Sequence, residues 1–246
     1  RTVKAVLTPQ AGSALYVGEI AVCGPAPLDA KIRNVFTEFT RVAAVPAKSG
    51  DFLVAGSQDG KLAFYGEDGK LRKELDLKSA VNDLAVEDLD GDGNPEILVA
   101  LQAGTLAVLD TDGKELWTKK FDFYRVHPAL TIVKVADLDG DGKKEILAGC
   151  DNWRVYAFDS KGKELWNYEV VHPTRAVEVF DLDGDGKKEV LCGTKYYMMS
   201  VLDAKGARKW TAHFGPGCRA LAAPKADGKT FVAAGSDDGN VYFYTP

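Results

Sequence analysis

The sequence predicts an all-β fold assembled from repeated four-stranded units, and three observations carry that prediction. The acidic word DLDGDG occurs at Asp88, Asp137 and Asp181, at spacings of 49 and then 44 residues. The tryptophans of KELW (Trp117), KELW (Trp166) and ARKW (Trp210) keep the same two spacings. Between these markers lie short apolar runs such as IVKVA, EILAG, VYAF and ELWNYEV, cut by Gly and Asp turns. Runs this short and this rich in Val, Ile and aromatics are strands rather than helices. Two independent markers on one period define an internal repeat. Four short strands per ~45 residues is the size of one β-propeller blade.

Degenerate copies extend the array on both sides. GDFLVAGSQDGKLAFYGEDGKLRKEL (Gly50 to Leu75) supplies a second, third and fourth strand without the acidic loop. GKTFVAAGSDDGNVYFY (Gly228 to Tyr244) does the same and stops before a fourth strand. Near the start, GSALYVG (Gly12 to Gly18) matches GDFLVAG, and DAKIRNVF (Asp29 to Phe36) matches DGKLRKEL. The expectation is one propeller domain over residues 1–246 with six blades. These fall at approximately 1–39, 40–80, 81–127, 128–173, 174–217 and 218–246. The last lacks its outer strand. If TVKAVL near the N-terminus supplies that strand, the count becomes five; a longer parent chain would allow seven or eight.

The three acidic words align as D-x-D-x-D-G-x-x-E. The acidic positions are Asp88, Asp90, Asp92 and Glu96; then Asp137, Asp139, Asp141 and Glu145; then Asp181, Asp183, Asp185 and Glu189. Ca²⁺ takes six to eight hard oxygens, and alternate side chains on a tight loop converge on one point. The glycine at position 6 allows the sharp turn. The backbone carbonyl at position 7 (Asn94, Lys143 and Lys187) is the expected neutral ligand. An EF-hand requires its glutamate at position 12 and a helix on each side. Position 12 holds Val99, Ala148 and Cys192, and the flanks are strand-like, so that reading fails. The bland alternative is an Asp/Gly-rich turn without metal. Three copies with four carboxylates in nine residues would repel strongly without a cation, so three Ca²⁺ sites are expected.

Composition bounds the function. The apolar fraction of 46% can build a core, and 27% charged residues suit a soluble protein. No apolar run approaches the ~18 residues of a membrane span. A net charge of −5 gives no reason to expect a nucleic-acid partner. Three bound calcium ions would leave about +1, so the acidity largely serves the metal. The chain begins at Arg1, as a processed protein or a piece of a larger multidomain protein would. Cys23, Cys150, Cys192 and Cys218 form no CxxC pair, so a zinc site is not expected. Cys150 and Cys192 read as buried free thiols; Cys23 and Cys218 fall in the first and last blades, where a bridge at closure is conceivable.

These loops between strands resemble the FG-GAP/VCBS repeat, the calcium-bearing blade of integrin-like propellers. The resemblance covers the third to fifth predicted blades and implies that each loop joins the first and second strands. It departs in using Glu at position 9, and the other three blades lack the ligands. VLDTDGKELW, AFDSKGKELW and VLDAKGARKW also resemble the PQQ-type propeller repeat, which implies that the tryptophan docks blade on blade. The vicinal cysteine pair of many quinoprotein dehydrogenases is absent, so no quinone cofactor is inferred.

A propeller has two rims. Metal loops and D-G-K turns share one; links between blades and turns from second to third strands share the other. On that second rim, KKFDFYRVHP is five residues longer than the equivalent link after Trp166. It offers Phe121, Phe123, Tyr124, Arg125 and His127, and the next link adds His172 and Arg175. The turns add Asp151, Asn152, Trp153 and Arg154, then Lys195, Tyr196 and Tyr197. Tyr124, Arg125, His127, Asp151, Trp153, Arg154, His172, Arg175 and Tyr196 are the candidate ligand residues for a glycan or protein partner. The alternative is that the aromatics pack between blades and His-Pro holds a turn.

The expected function is a calcium-stabilised, non-catalytic binding or scaffold module. Such loops bind calcium weakly and fill where it is millimolar, so the expected location is extracellular, periplasmic or at the cell surface. A second reading is a polysaccharide lyase or hydrolase, since some rhamnogalacturonan lyases resemble this sequence in their DxDGDG propeller loops followed by an LW strand. No catalytic set maps residue by residue, and no G-x-S-x-G, HExxH or phosphate-binding loop occurs.

Overall fold

The computed structural model describes residues 39–48, 50–226 and 228–246. The first predicted blade, with GSALYVG, DAKIRNVF, TVKAVL and Cys23, lies outside the described residues. The described residues form five blades, which are the second to sixth of the expected six. Blade A contains β1 (Phe39–Val45), β2 (Phe52–Ser57), β3 (Lys61–Gly66) and β4 (Leu71–Asp76). Blade B contains β5 (Val81–Glu87), β6 (Glu96–Leu101), β7 (Thr105–Leu109) and β8 (Glu115–Lys120). Blade C contains β9 (Leu130–Ala136), β10 (Glu145–Cys150), β11 (Arg154–Phe158) and β12 (Glu164–Glu169). Blade D contains β13 (Thr174–Phe180), β14 (Glu189–Thr194), β15 (Met198–Leu202) and β16 (Arg208–His213).

Blade E starts with β17 (Cys218–Ala222). A small hairpin, β18 (Lys225–Ala226) and β19 (Lys229–Thr230), stands where blades B to D carry the acidic loop. β20 (Val232–Ser236) and β21 (Val241–Tyr244) complete a three-stranded sheet. All strand pairs are antiparallel, and among the described residues no helix is long and apolar enough to cross a membrane.

The second strands explain why their sequences are continuously apolar instead of alternating. Strand β6 is covered on both faces. Ile97, Val99 and Leu101 point into a core shared with Val54, Leu62 and Phe64 of blade A. Leu98 and Ala100 point into a core shared with Leu130, Ile146 and Phe158 of blade C. Period two thus sends alternate side chains to different inter-blade cores. The outer strands are mostly exposed, which is why β8 reads ELWTKK. Cys150 and Cys192 face different cores. Cys150, Cys192 and Cys218 are buried free thiols. Burial pushes the Cys150 and Cys218 thiols up to about 12 and raises Cys192 as well, so they behave as apolar packing groups.

First strands are joined by polar staples. Asp83 takes the Arg41 guanidinium of blade A at 2.8 Å on one oxygen and the Val133 amide of blade C at 3.0 Å on the other. Asn82 donates to the Leu130 carbonyl (2.7 Å) and Thr131 to the Thr174 carbonyl (3.0 Å). Lys134 pairs with Glu178 at 2.9 Å.

Outer strands are joined by the tryptophans. Trp117 of blade B lies 3.0 Å from where a side chain would begin at Gly162 of blade C. Trp166 repeats this against Gly206 of blade D at 2.6 Å and donates its indole N–H to the Ala204 carbonyl at 3.0 Å. The glycine of each D-x-x-G turn is therefore needed twice: φ is +80° at Gly162 and +79° at Gly206, and the preceding blade's indole occupies the space a methyl would take.

Truncating that ring tests the arrangement. Trp166 is half-buried, so Trp166→Ala should cost about 2–3 kcal/mol, below the ~3–5 of a fully buried tryptophan. Gly206→Ala should destabilise as well, through strain and overlap with the indole. Urea unfolding of both variants measures this; unchanged midpoints would place the ring outside the blade interface.

Candidate functional site

The three acidic loops join β5 to β6, β9 to β10 and β13 to β14, and they share one internal geometry. The aspartate at position 1 grips both glycine amides. Asp88 accepts from Gly91 (2.8 Å) and Gly93 (2.8 Å), Asp137 from Gly140 (2.8 Å) and Gly142 (3.0 Å), and Asp181 from Gly184 (2.7 Å) and Gly186 (3.1 Å). These glycines have φ between +79° and +85°, where other L-residues are strained. Position 3 accepts from the amide of position 5: Asp90 from Asp92, Asp139 from Asp141 and Asp183 from Asp185. Position 5 in turn accepts from the amides of Asn94, Lys143 and Lys187 at 2.6, 2.8 and 2.8 Å.

The glutamate at position 9 closes the loop. Glu96, Glu145 and Glu189 accept from the amides of Leu89, Leu138 and Leu182 at 2.8, 2.8 and 2.9 Å. Those leucines are buried in inter-blade cores. Sequence reasoning passed over both this leucine at position 2 and the glycine at position 4, although each stands in all three copies.

One oxygen each from positions 1, 3 and 9 come together. In Asp88, Asp90 and Glu96, in Asp137, Asp139 and Glu145, and in Asp181, Asp183 and Glu189, the three oxygens lie within 4.8 Å of one another. An ion at about 2.3–2.6 Å from each donor can touch oxygens that far apart. The donors are hard oxygens with no nitrogen or sulfur among them, so the residues fit Ca²⁺. Asp92, Asp141 and Asp185 are not in these groups.

The charges confirm how crowded the loops are. Burial, and then the neighbouring aspartates, raise the Glu96 and Glu145 carboxyls, against the lowering effect of the leucine amides. Basic side chains approach each loop differently. The Lys48 ammonium meets the Asp92 carbonyl at 2.9 Å. Lys143 holds Asp141 at 2.5 Å. Lys209 contacts Asp183 and Glu189, each at 2.9 Å, and these two bonds raise its own pKa.

Antiparallel pairing puts the second-to-third turns and the inter-blade links at the other end of the sheets, and there the aromatic candidates meet. Trp153 packs edge-on against His172 (ring centroids 5.3 Å), and His172 against Tyr196 (5.4 Å) and Tyr197 (6.4 Å). Arg125 lies over Tyr124 (5.3 Å) and Trp153 (5.7 Å), and Arg154 over Tyr124 (4.1 Å). Lys195 covers Tyr196 at 5.4 Å.

Glu169, which sequence reasoning did not single out, ties the group down. It accepts from the Tyr124 hydroxyl at 2.8 Å and pairs with Arg125 at 3.6 Å. Asp151 is half-buried; burial raises its carboxyl while Arg175, Lys195 and His127 pull it down. Buried Asn152 ties the link to the turn by donating to the Asp122 carbonyl and the Tyr156 hydroxyl.

The link divides its aromatics. Phe121 is buried and packs on Tyr156 (4.8 Å) and Phe158 (5.8 Å), whereas Phe123 is 73% exposed. Strain collects here. Of the five described non-glycine residues with positive φ, four are Arg125, Trp153, Val171 and Tyr197. Arg125 and Tyr197 sit at the centres of three-residue turns closed by Val126→Tyr124 (2.6 Å) and Met198→Tyr196 (2.8 Å) hydrogen bonds. On the loop rim, a shallow depression of about 380 Å³ is lined by Pro46, Val86, Glu87, Asp88, Gly93 and Pro95; it contains none of these aromatics.

Two family models match the chain. Residues 52–136 match the lambda-carrageenase β-propeller domain, and residues 137–192 match the FG-GAP-like repeat. A lambda-carrageenase of Pseudoalteromonas carrageenovora and one of Pseudoalteromonas sp. are each 28% identical over 116 residues. That stretch is 46% of this chain and only 12% of either enzyme.

Among solved structures, Sqt1 of Saccharomyces cerevisiae superposes with a TM-score of 0.69 at 13% identity, over 85% of this chain and 59% of that one. BBS1N in complex with ARL6DN gives 0.61 at 16% over 84% and 65%. BamB of Moraxella catarrhalis gives 0.59 at 18% over 82% and 57%. At these identities the likeness concerns the fold alone. The four-stranded antiparallel sheets and the solved neighbours make this chain a β-propeller, within which residues 52–136 match a lambda-carrageenase-type propeller and residues 137–192 an FG-GAP-like repeat.

Proposed function

We propose that this propeller is a calcium-stabilised, non-catalytic binding module that holds a glycan on the rim opposite its acidic loops, in a protein working outside the cytosol. The observation that carries the reading is the patch running from Tyr124 through Arg125, Trp153 and His172 to Tyr196. It joins aromatic faces to guanidinium and imidazole groups on strained turns, and strain of this kind gathers at ligand sites. Aromatic faces stack on sugar rings, and Arg125, Arg154 and Arg175 offer donors to hydroxyl or anionic substituents. The likeness to lambda-carrageenases supports a polysaccharide as the ligand. A protein ligand is the other possible occupant, as in the neighbour solved as a complex.

Asp88, Asp90 and Glu96, with their counterparts in blades C and D, would hold the ions. A bound calcium supplies the positive charge that offsets the loop carboxylates. An ion that binds only the folded state stabilises it by about 2.7 kcal/mol at a concentration 100 times Kd. Millimolar calcium is found outside the cytosol, hence the proposed location.

The 28% identical stretch favours a second reading, in which the patch serves a polysaccharide-cleaving protein. Asp151 beside His127 and Arg175 would then be the acid–base group. Lambda-carrageenan, unsulfated galactan and a broad glycan array, each with a cleavage assay, separate the readings: retention without cleavage supports the module.

Two variants test the assignment. Replacing Tyr124, Arg125 and Trp153 with alanine should abolish glycan retention and leave bound calcium unchanged; full retention would move the ligand elsewhere. Asp139→Ala with Asp141→Ala should lower calcium by one ion per chain in equilibrium dialysis and leave glycan binding intact. Undiminished calcium would show that this loop holds no ion.

A further inference from the structure

We infer that Lys209 is the built-in cation of the third acidic loop, its ammonium standing where the first two loops would take calcium, so that blade D carries a much weaker metal site than blades B and C. The inference rests on the calcium reading above and concerns what distinguishes three loops of nearly identical sequence.

The difference comes from the outer strand. In β8 the pairing runs Val108↔Trp117 and then Leu109↔Glu115, so Leu116 is an extra, bulged residue. In β12 it runs Ala157↔Trp166 and Phe158↔Glu164, which makes Leu165 the bulge. In β16 it runs Val201↔Trp210 and Leu202↔Arg208, which places Lys209 at the same point. A bulge re-aims its side chain. Leu116 and Leu165 are each 48% exposed and have no charge to offer. Lys209 reaches Asp183 Oδ2 and Glu189 Oε1 at 2.9 Å each. Both residues belong to the converging group of blade D.

The other loop lysines do not do this. Lys48 meets a backbone carbonyl of the first loop, and Lys143 holds Asp141, which is outside the converging group of the second. Among the described residues, blade D alone has an ammonium on two of the three converging carboxylates. Glu189 is nearly closed to solvent, so its contact with Lys209 is a charge-assisted bond in a low-dielectric setting. A divalent ion entering this loop must first displace that ammonium, whereas entry into the other two displaces none.

Calcium titration by calorimetry, with equilibrium dialysis for stoichiometry, tests the inference on the whole chain. The wild type should bind two ions, with a third at least about tenfold weaker, since displacing charge-assisted hydrogen bonds corresponds to a factor of that order. Lys209→Leu, or Lys209→Met as the closer isostere, should raise the third affinity to that of the others. Leu165→Lys should weaken one of the two tight sites.

In chelator, Lys209→Met should melt below the wild type, because the third loop loses its counter-charge, whereas Lys209→Arg should not. Three equivalent sites in the wild type, an unchanged third site in both variants, or equal melting of Lys209→Met and wild type in chelator would each overturn the inference. If no variant binds calcium at all, the calcium reading falls first and the weak-site inference falls with it; two tight ions with no response to Lys209 overturns the inference alone.

Discussion

Carboxylates forced together by their own backbone set the terms for the rest of this molecule. Each acidic loop spends four side chains on its own amides. The aspartate at position 1 folds the turn by holding two glycine amides, and the glutamate at position 9 ties the loop to a buried leucine. Those bonds leave one oxygen from each of positions 1, 3 and 9 facing its neighbours within 4.8 Å. The geometry that orders the loop is therefore the geometry that concentrates negative charge, and burial of the glutamate increases the cost. A bound cation would relieve this conflict. The loop also fixes how the first strand returns as the second, and so sets the register from which the whole blade follows.

Blade stacking uses the same economy of parts. In blades B, C and D the second strand lies between two neighbours and sends alternate side chains to two cores, so a single short apolar run serves two interfaces. Polar staples link the first strands, and a tryptophan packed over a glycine links the outer ones. With both ends of each sheet tied in this way, the far rim can carry turns that are strained and links that are long. Arg125 sits at positive φ on that rim in a link that Asn152, Glu169 and the buried Phe121 hold in place.

The sequence made the repeat, the strands and the acidic loops legible because each depends on local residue types at fixed spacing. What it concealed depends on register between strands. Asp92, Asp141 and Asp185 look equivalent to the other acids in the word, yet their carboxylates bind the position-7 amides and lie apart from the converging group. Glu169 meets Tyr124 and Arg125 because the pairing of β12 with β11 sets it opposite Arg154 at the rim. Lys209 reads as an ordinary surface lysine until the bulge before Trp210 aims it at the loop. The sequence also offered strand-like matches within residues 12–36, a stretch outside the described residues.

The loop carboxylates converge only in the folded state, so a cation that relieves them stabilises that state alone. Thermal unfolding of the wild-type protein in millimolar calcium, compared with chelator at matched ionic strength, tests this most directly. The melting temperature should climb with calcium concentration and should not respond to equivalent sodium or potassium. Identical melting curves in calcium and chelator would contradict it, and would mean that the amide hydrogen bonds hold these carboxylates together unaided.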